Sequence, residues 1–250
     1  MSLEKSTAIV LRLVDFSETS CVVTLFTEDF GKISALAKGA RRPKGPFDSA
    51  LDLLALCRIV FLQKSSDSLD LLTEAKLLRR FRSASRDLSR LYAAYYVAEL
   101  LLELTEFGDP HPELFGESER ALSNLDQDSD LAETVLRFEM SALRQLGYLP
   151  ALRVCAVCGA PALQEGRVLF GHAAGGLLCR KCRPGQRQVV SLSRQVLDVL
   201  DQTANLSDGS PPTLDDPKLR GELRGLMNRY LTNLLGHPPR MQKYLGMLAT

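Results

Sequence analysis

Ser20-Cys-Val-Val-Thr-Leu-Phe-Thr27, then Glu28-Asp-Phe-Gly31, then Lys32-Ile-Ser-Ala-Leu-Ala-Lys38 is the stretch on which the fold turns. Both arms are rich in β-branched and small apolar residues, and the segment between them supplies a glycine-ended turn, so the pattern predicts a hairpin. Upstream, Lys5–Asp15 alternates through Ile9, Leu11 and Leu13 and predicts another strand. Downstream, Gly39–Pro46 is punctuated by two Gly and two Pro and excludes regular structure. Two more runs follow, Leu53–Gln63 and Ser68–Lys76, separated by the polar tract Lys64–Asp67. Five short strands with no long helix among them predict a small antiparallel barrel over residues 1–80.

The period then changes. Ser83–Thr105 reads as a helix with Tyr92, Tyr95, Ala98, Leu101, Leu102 and Thr105 on its buried face. Asp109-Pro110 and Asp130-x-x-Glu133 are helix starts, and the second helix ends near Gly147. Residues 81–150 therefore form a first helical part. Residues 151–187 form a Gly- and Cys-rich module, and residues 188–250 a second helical part, with helices from Ser191, after Asp216-Pro217, and near Met241–Leu248. The fold class is α+β and multi-domain.

Cys155-x-x-Cys158 and Cys179-x-x-Cys182 are the most specific chemical signal. Two such knuckles can converge as four thiolates around Zn2+, and four protein ligands leave no open position, so the spacing predicts one structural zinc rather than a catalytic one. The competing readings are a redox pair or unrelated thiols, but redox motifs normally come singly. His172 lies between the knuckles and reads as a surface histidine, because four Cys complete the set. Cys21 and Cys57 sit in apolar strands and read as core.

The chain has 250 residues with Lys+Arg 31 against Asp+Glu 30, so the total charge identifies no partner. Its distribution does. Phe30–Phe47 holds Lys32, Lys38, Arg41, Arg42 and Lys44 and no acid. Lys76–Arg90 holds Lys76, Arg79, Arg80, Arg82, Arg86 and Arg90 against Asp87. Glu99–Glu133 is strongly acidic, and the Cys-rich module turns basic again through Arg167, Arg180, Lys181, Arg183 and Arg187. Two basic patches flanking one barrel point to phosphates and counterion release, hence to nucleic acid. Phe26 and Phe61 read as core; Phe30 and Phe47 flank the basic loop and read as stacking platforms.

Enzyme motifs fail. There is no Walker A loop, dinucleotide fingerprint, nucleophile elbow or zinc-protease motif. Asp126-x-Asp128-x-Asp130 begins like a calcium loop, but Leu131 stands where Gly is needed and Arg137 where a bidentate Glu belongs. No apolar signal core or membrane span is apparent, so the expectation is a cytoplasmic protein that is not an enzyme.

Ala8-Ile-Val-Leu-Arg12, Asp15-Phe-Ser-Glu-Thr-Ser20, Leu25–Lys32 and, most specifically, Ala37-Lys-Gly-Ala-Arg-Arg-Pro-Lys44 resemble the RecO family of bacterial DNA repair proteins. The similarity runs through the Tyr92–Leu104 stretch into the four-Cys element. The resemblance implies an N-terminal OB-fold barrel, a helical domain and a zinc-binding module. It also implies binding of single- and double-stranded DNA, annealing of complementary strands, and work with RecR to load RecA on DNA coated by single-strand-binding protein, near the nucleoid. Lys38, Arg41, Arg42 and Lys44 match the family's basic loop, and Lys32, Arg79, Arg80, Arg82 and Arg86 are further candidate DNA contacts. The rival reading is a zinc-ribbon protein–protein adaptor that touches no nucleic acid.

Overall fold

A computed structural model describes residues 2–42, 47, 50–64, 69–83, 87–162, 166–206 and 212–249. The chain divides into two compact units, Met1–Asp128 and Ser129–Thr250. In the first unit five strands, β1 (Ser2–Asp15), β2 (Cys21–Thr27), β3 (Gly31–Ala37), β4 (Leu56–Gln63) and β5 (Asp70–Arg79), close a barrel in the order β1-β2-β3-β5-β4. This is the OB-fold expected. Long β1 serves both neighbours: Ser2–Ile9 pairs with β4 and Ala8–Asp15 with β2, and a bulge between Val10 and Arg12 bends the strand between the two. The seam between β3 and β5 is parallel and short, with Ala35–Ala37 facing Asp70–Leu72.

Strand alternation makes the core. Val10, Val23, Leu25, Ile33, Ala35, Ile59, Phe61 and Leu72 point inward with Cys21 and Cys57. Burial without a partner charge pushes the Cys57 thiol up to about 12, as befits an inert core cysteine. Phe47 is buried in the same core, 3% exposed, and Phe30 lies edge-on to Phe61. Phe47 is therefore no stacking platform: its ring fills part of the barrel core.

The β2–β3 turn explains Lys32. Gly31 has φ +65, and a Cβ there would meet the Asp109 carbonyl oxygen at 2.0 Å, so only glycine lets the hairpin pass this close. The approach carries Lys32 inward. Its Nζ donates to the carbonyl oxygens of Leu102 at 2.6 Å and Thr105 at 2.5 Å, at the C-terminal end of helix α1 (Leu88–Leu104). A cation there offsets the unsatisfied carbonyls of the helix end. Lys32 is 5% exposed, and desolvation, partly countered by Glu106 and Glu103, lowers its pKa. As a DNA contact it is thus a misassignment. Helix α1 is capped by Asp87 and starts later than its sequence pattern suggests, because Arg79 still belongs to β5. Its buried face holds Tyr96, Val97, Leu100 and Leu101, with Tyr92 and Tyr95 only half-buried. Helix α2 (Pro112–Leu125) seats Phe115 against Phe26 of the barrel.

The second unit contains α3 (Leu131–Gln145), a sheet of β6 (Val168–Gly171), β7 (Gly176–Leu178) and β8 (Val189–Leu192), then α4 (Arg194–Ala204), α5 (Pro217–Leu235) and a 3-10 segment, Arg240–Ala249. The sheet order is β7-β6-β8, so β8 is an edge. These three strands were not apparent from the sequence. β8 occupies the stretch read as a helix start, and Ser193 instead caps α4. Buried Glu139 of α3 grips Arg224 of α5 through two hydrogen bonds of 2.6 and 3.2 Å, so neither charge is left unpaired. Asp126 closes α2 and accepts from the Arg82 and Ser83 amides, and Asp130 caps α3. These carboxylates do structural work.

Candidate nucleic-acid interface and metal centre

The basic loop leaves β3 at one end of the barrel. Gly39 donates to the Ser20 hydroxyl and the Arg41 amide to the Thr19 carbonyl, which ties the loop to the β1–β2 turn. Lys38, Arg41 and Arg42 are exposed or nearly so. Arg41 pairs directly with Asp15 at 2.9 Å on the exposed surface, a contact of at most about 1 kcal/mol that a phosphate can displace. Lys38 and Arg42 make no ion pair among the described residues. Lys44 and Arg86 lie outside the described residues.

The tie to the β1–β2 turn brings an unforeseen residue into play. Phe16, 63% exposed, stands on that turn beside Arg41. Below it the outer barrel face carries a cross-strand row in register: Val14 opposite Val22, Val22 opposite Leu36, and Leu36 opposite Leu71. The neighbouring row is Arg12, Thr24 and Ser34. An apolar strip with an aromatic at its end and cations around it suits bases laid on a sheet with phosphates at the rim. The sequence signal was available: Phe16 follows the strand's polar end, where an inward core residue is out of place.

A second basic cluster lines a concavity of about 670 Å3 formed by Leu77, Leu78, Arg79, Arg80, Arg82 and Asp126. Arg79 lies 3.7 Å from Glu119, and Arg80 lies 3.8 Å from Asp52. These cations are partly neutralised, so the loop cations carry more of the uncompensated charge.

In the second unit the four cysteines meet. The sulfur atoms of Cys155, Cys158, Cys179 and Cys182 all lie within 4.8 Å of one another, with Cys158 and Cys179 at 3.9 Å. Tetrahedral zinc with bonds of about 2.3 Å places its sulfurs about 3.8 Å apart, so the cluster fits a zinc site. The first knuckle is closed by the Gly159 amide on the Cys155 carbonyl and the second by the Cys182 and Arg183 amides on the Cys179 carbonyl. The Ala156 amide on the Leu177 carbonyl fastens the first knuckle to β7. Backbone donors from Cys179 and Cys158 hold the Cys155 thiol down to about 6, while the surrounding sulfurs push Cys182 up to about 12. Four thiolates this close need a cation between them to ionise together.

His172 is 3% exposed, contrary to its reading as a surface residue, and neither ring nitrogen has a hydrogen-bond partner among the described residues. Phe170 packs against its ring. No helix among the described residues is long and apolar enough to cross a membrane.

An OB-fold barrel with a basic loop, followed in one chain by helices and a four-cysteine cluster, defines a class of barrel-bearing, cysteine-cluster proteins. Within it, residues 1–81 match the family model for the recombination protein O N terminal and residues 85–243 that for the recombination protein O C terminal. A protein of Rhodopirellula baltica, named DNA repair protein RecO, is 45% identical, covering 95% of this chain and 97% of its own length. Proteins of the same name from Anaeromyxobacter dehalogenans and Myxococcus xanthus are 36% and 34% identical over 98% and 92% of this chain and 96% and 91% of theirs. The chain belongs to the recombination protein O family.

Proposed function

We propose that the protein is a DNA repair and homologous recombination factor that binds single- and double-stranded DNA and anneals complementary strands without chemical turnover. The observation that carries this is the barrel end where Lys38 and Arg42, without carboxylate partners among the described residues, stand beside exposed Phe16 and the apolar row. Cations there screen the repulsion between two phosphate backbones, and base pairing supplies all the specificity. Arg79, Arg80 and Arg82 extend the path. One Zn2+ held by Cys155, Cys158, Cys179 and Cys182 acts as a structural cross-link. The family resemblance supports the further role of working with RecR to load RecA on DNA coated by single-strand-binding protein.

The test is fluorescence annealing of complementary oligonucleotides without nucleotide or Mg2+. The protein should accelerate it, and high salt should suppress it. Changing Arg41 and Arg42 together to Ala should lower the salt slope of single-strand binding by about 1.4, or about 0.7 per phosphate contact. Annealing at the spontaneous rate, or an unchanged slope, would remove the basic loop from the mechanism.

A further inference from the structure

Two open cavities in the second unit, of about 540 and 400 Å3, share a wall of His172, Val190 and Arg229. Both are bounded by α5 on one side and the edge strand β8 on the other, so they form one trough. Its charge is one-sided. Lys218 and Arg229 are exposed, about 16 Å apart along α5 at 1.5 Å per residue, and neither meets a carboxylate among the described residues. The larger cavity has no carboxylate in its lining. The smaller has Glu222, which is already bound to Arg167 at 3.1 Å and to the Ser193 amide and hydroxyl at 2.8 Å each.

The approach to the trough is cationic too. The chain from the second knuckle into β8 carries exposed Lys181, Arg183 and Arg187, with no acid anywhere between residues 166 and 197. Zn2+ held by the four thiolates would leave a net −2 there, which these three cations would outweigh by one. At the mouth, Gln188 has φ +53, a backbone conformation that side chains with a Cβ seldom adopt. The trough walls also carry Asn228, Asn233 and Gln242, and its floor is the buried imidazole of His172. Asn228 Oδ1 accepts from Arg224, Asn233 Nδ2 donates to the His172 carbonyl and Gln242 Oε1 accepts from Thr232, which leaves the Asn228 and Gln242 amide groups as donors and the Asn233 side-chain carbonyl as acceptor, a mixture that matches the edge of a nucleobase. An acidic peptide would engage only the donors.

We propose that the trough between β8 and α5 is a second single-strand nucleic-acid site, with backbone phosphates at Lys218 and Arg229 and base edges at the amides of Asn228, Asn233 and Gln242. It rests on the reading that the protein binds DNA and goes beyond it: each compact unit then holds a strand of its own, which is what bringing two strands together requires.

The experiment uses the full-length, zinc-loaded protein and a labelled oligo-thymidylate containing a photoreactive thiothymidine. Fluorescence anisotropy against salt gives the slope, and peptide mapping of cross-links locates the strand. In the wild type, cross-links should map to β8 and α5 as well as to the barrel. Changing Lys218 and Arg229 together to Ala should lower the slope by about 1.4 and abolish the β8 and α5 cross-links, while those to the barrel persist and the melting temperature stays the same. Wild-type binding with cross-links confined to the barrel overturns the second site and leaves the barrel reading standing. Cross-links at β8 and α5 with none on the barrel support the trough and overturn the barrel reading. An aspartate-rich peptide that binds the wild type but not the double variant, with oligonucleotide binding unchanged between them, assigns the trough to a peptide and overturns the proposal.

Discussion

Phe16 has nothing to gain from the fold: it is 63% exposed at the tip of a turn, and removing its ring opens no cavity. Phe16→Ala should therefore leave the denaturation midpoint unchanged while weakening single-strand binding by about 1–3 kcal/mol, the usual value of one base-stacking aromatic. Equal affinity for the two proteins would discard it as a platform. His172 is the opposite kind of residue. Burial, and then the nearby Arg229, lowers its pKa below 6.5. Below 6.5 the unfolded chain takes up a proton that the folded one resists, so stability is full above 6.5 and is lost as pH falls through the depressed folded value. His172→Leu should flatten that part of the curve of melting temperature against pH; zinc loss at acid pH is common to both proteins and cancels in the comparison. The setting of Phe16 had a local signal in the polar strand end before it, whereas that of His172 was not legible in the sequence. Lys32 shows why: its partners, Leu102 and Thr105, are some seventy residues away, so its charge looked like part of the basic loop.

At the scale of elements, legibility followed length. β1, β2, β3 and β4 run seven residues or more and their alternation is readable. β6, β7 and β8 have four, three and four residues, too few for a period to declare itself. What did declare that region was its cysteine spacing, because four ligands impose their geometry irrespective of strand propensity. The knuckles hang on this small sheet, with Cys179 directly following β7. Cys158→Ala should release the metal and expose the amides of β6, β7 and β8 to hydrogen exchange, while those of β1–β5, whose core is their own, stay protected. Full metal content in that variant, or exchange spreading equally through the barrel, would contradict the assignment of Cys158 as a ligand or the independence of the two cores. Phe47 was misread for a related reason: the glycines and prolines before it mark an irregular loop, and nothing local says that its ring enters the barrel core.

The whole molecule has a formal net charge of +1 at pH 7, yet its acidic and basic residues are gathered into separate regions. The proposed binding of a polyanion would depend on that arrangement rather than on the total. The barrel's wiring adds a constraint in time. β1 needs β4, and β3 closes only on β5 through the parallel seam Ala35–Ala37 with Asp70–Leu72. A chain truncated after β4 lacks the strand that joins β4 to β3, and should be cut rapidly by protease where the full chain resists; equal resistance would show that the seam is dispensable. During synthesis the first strand leaves the ribosome long before its last neighbour is made. The growing polypeptide therefore carries open strand edges past the tunnel exit until residue 79 emerges, and through that interval its own packing offers no guard against aggregation.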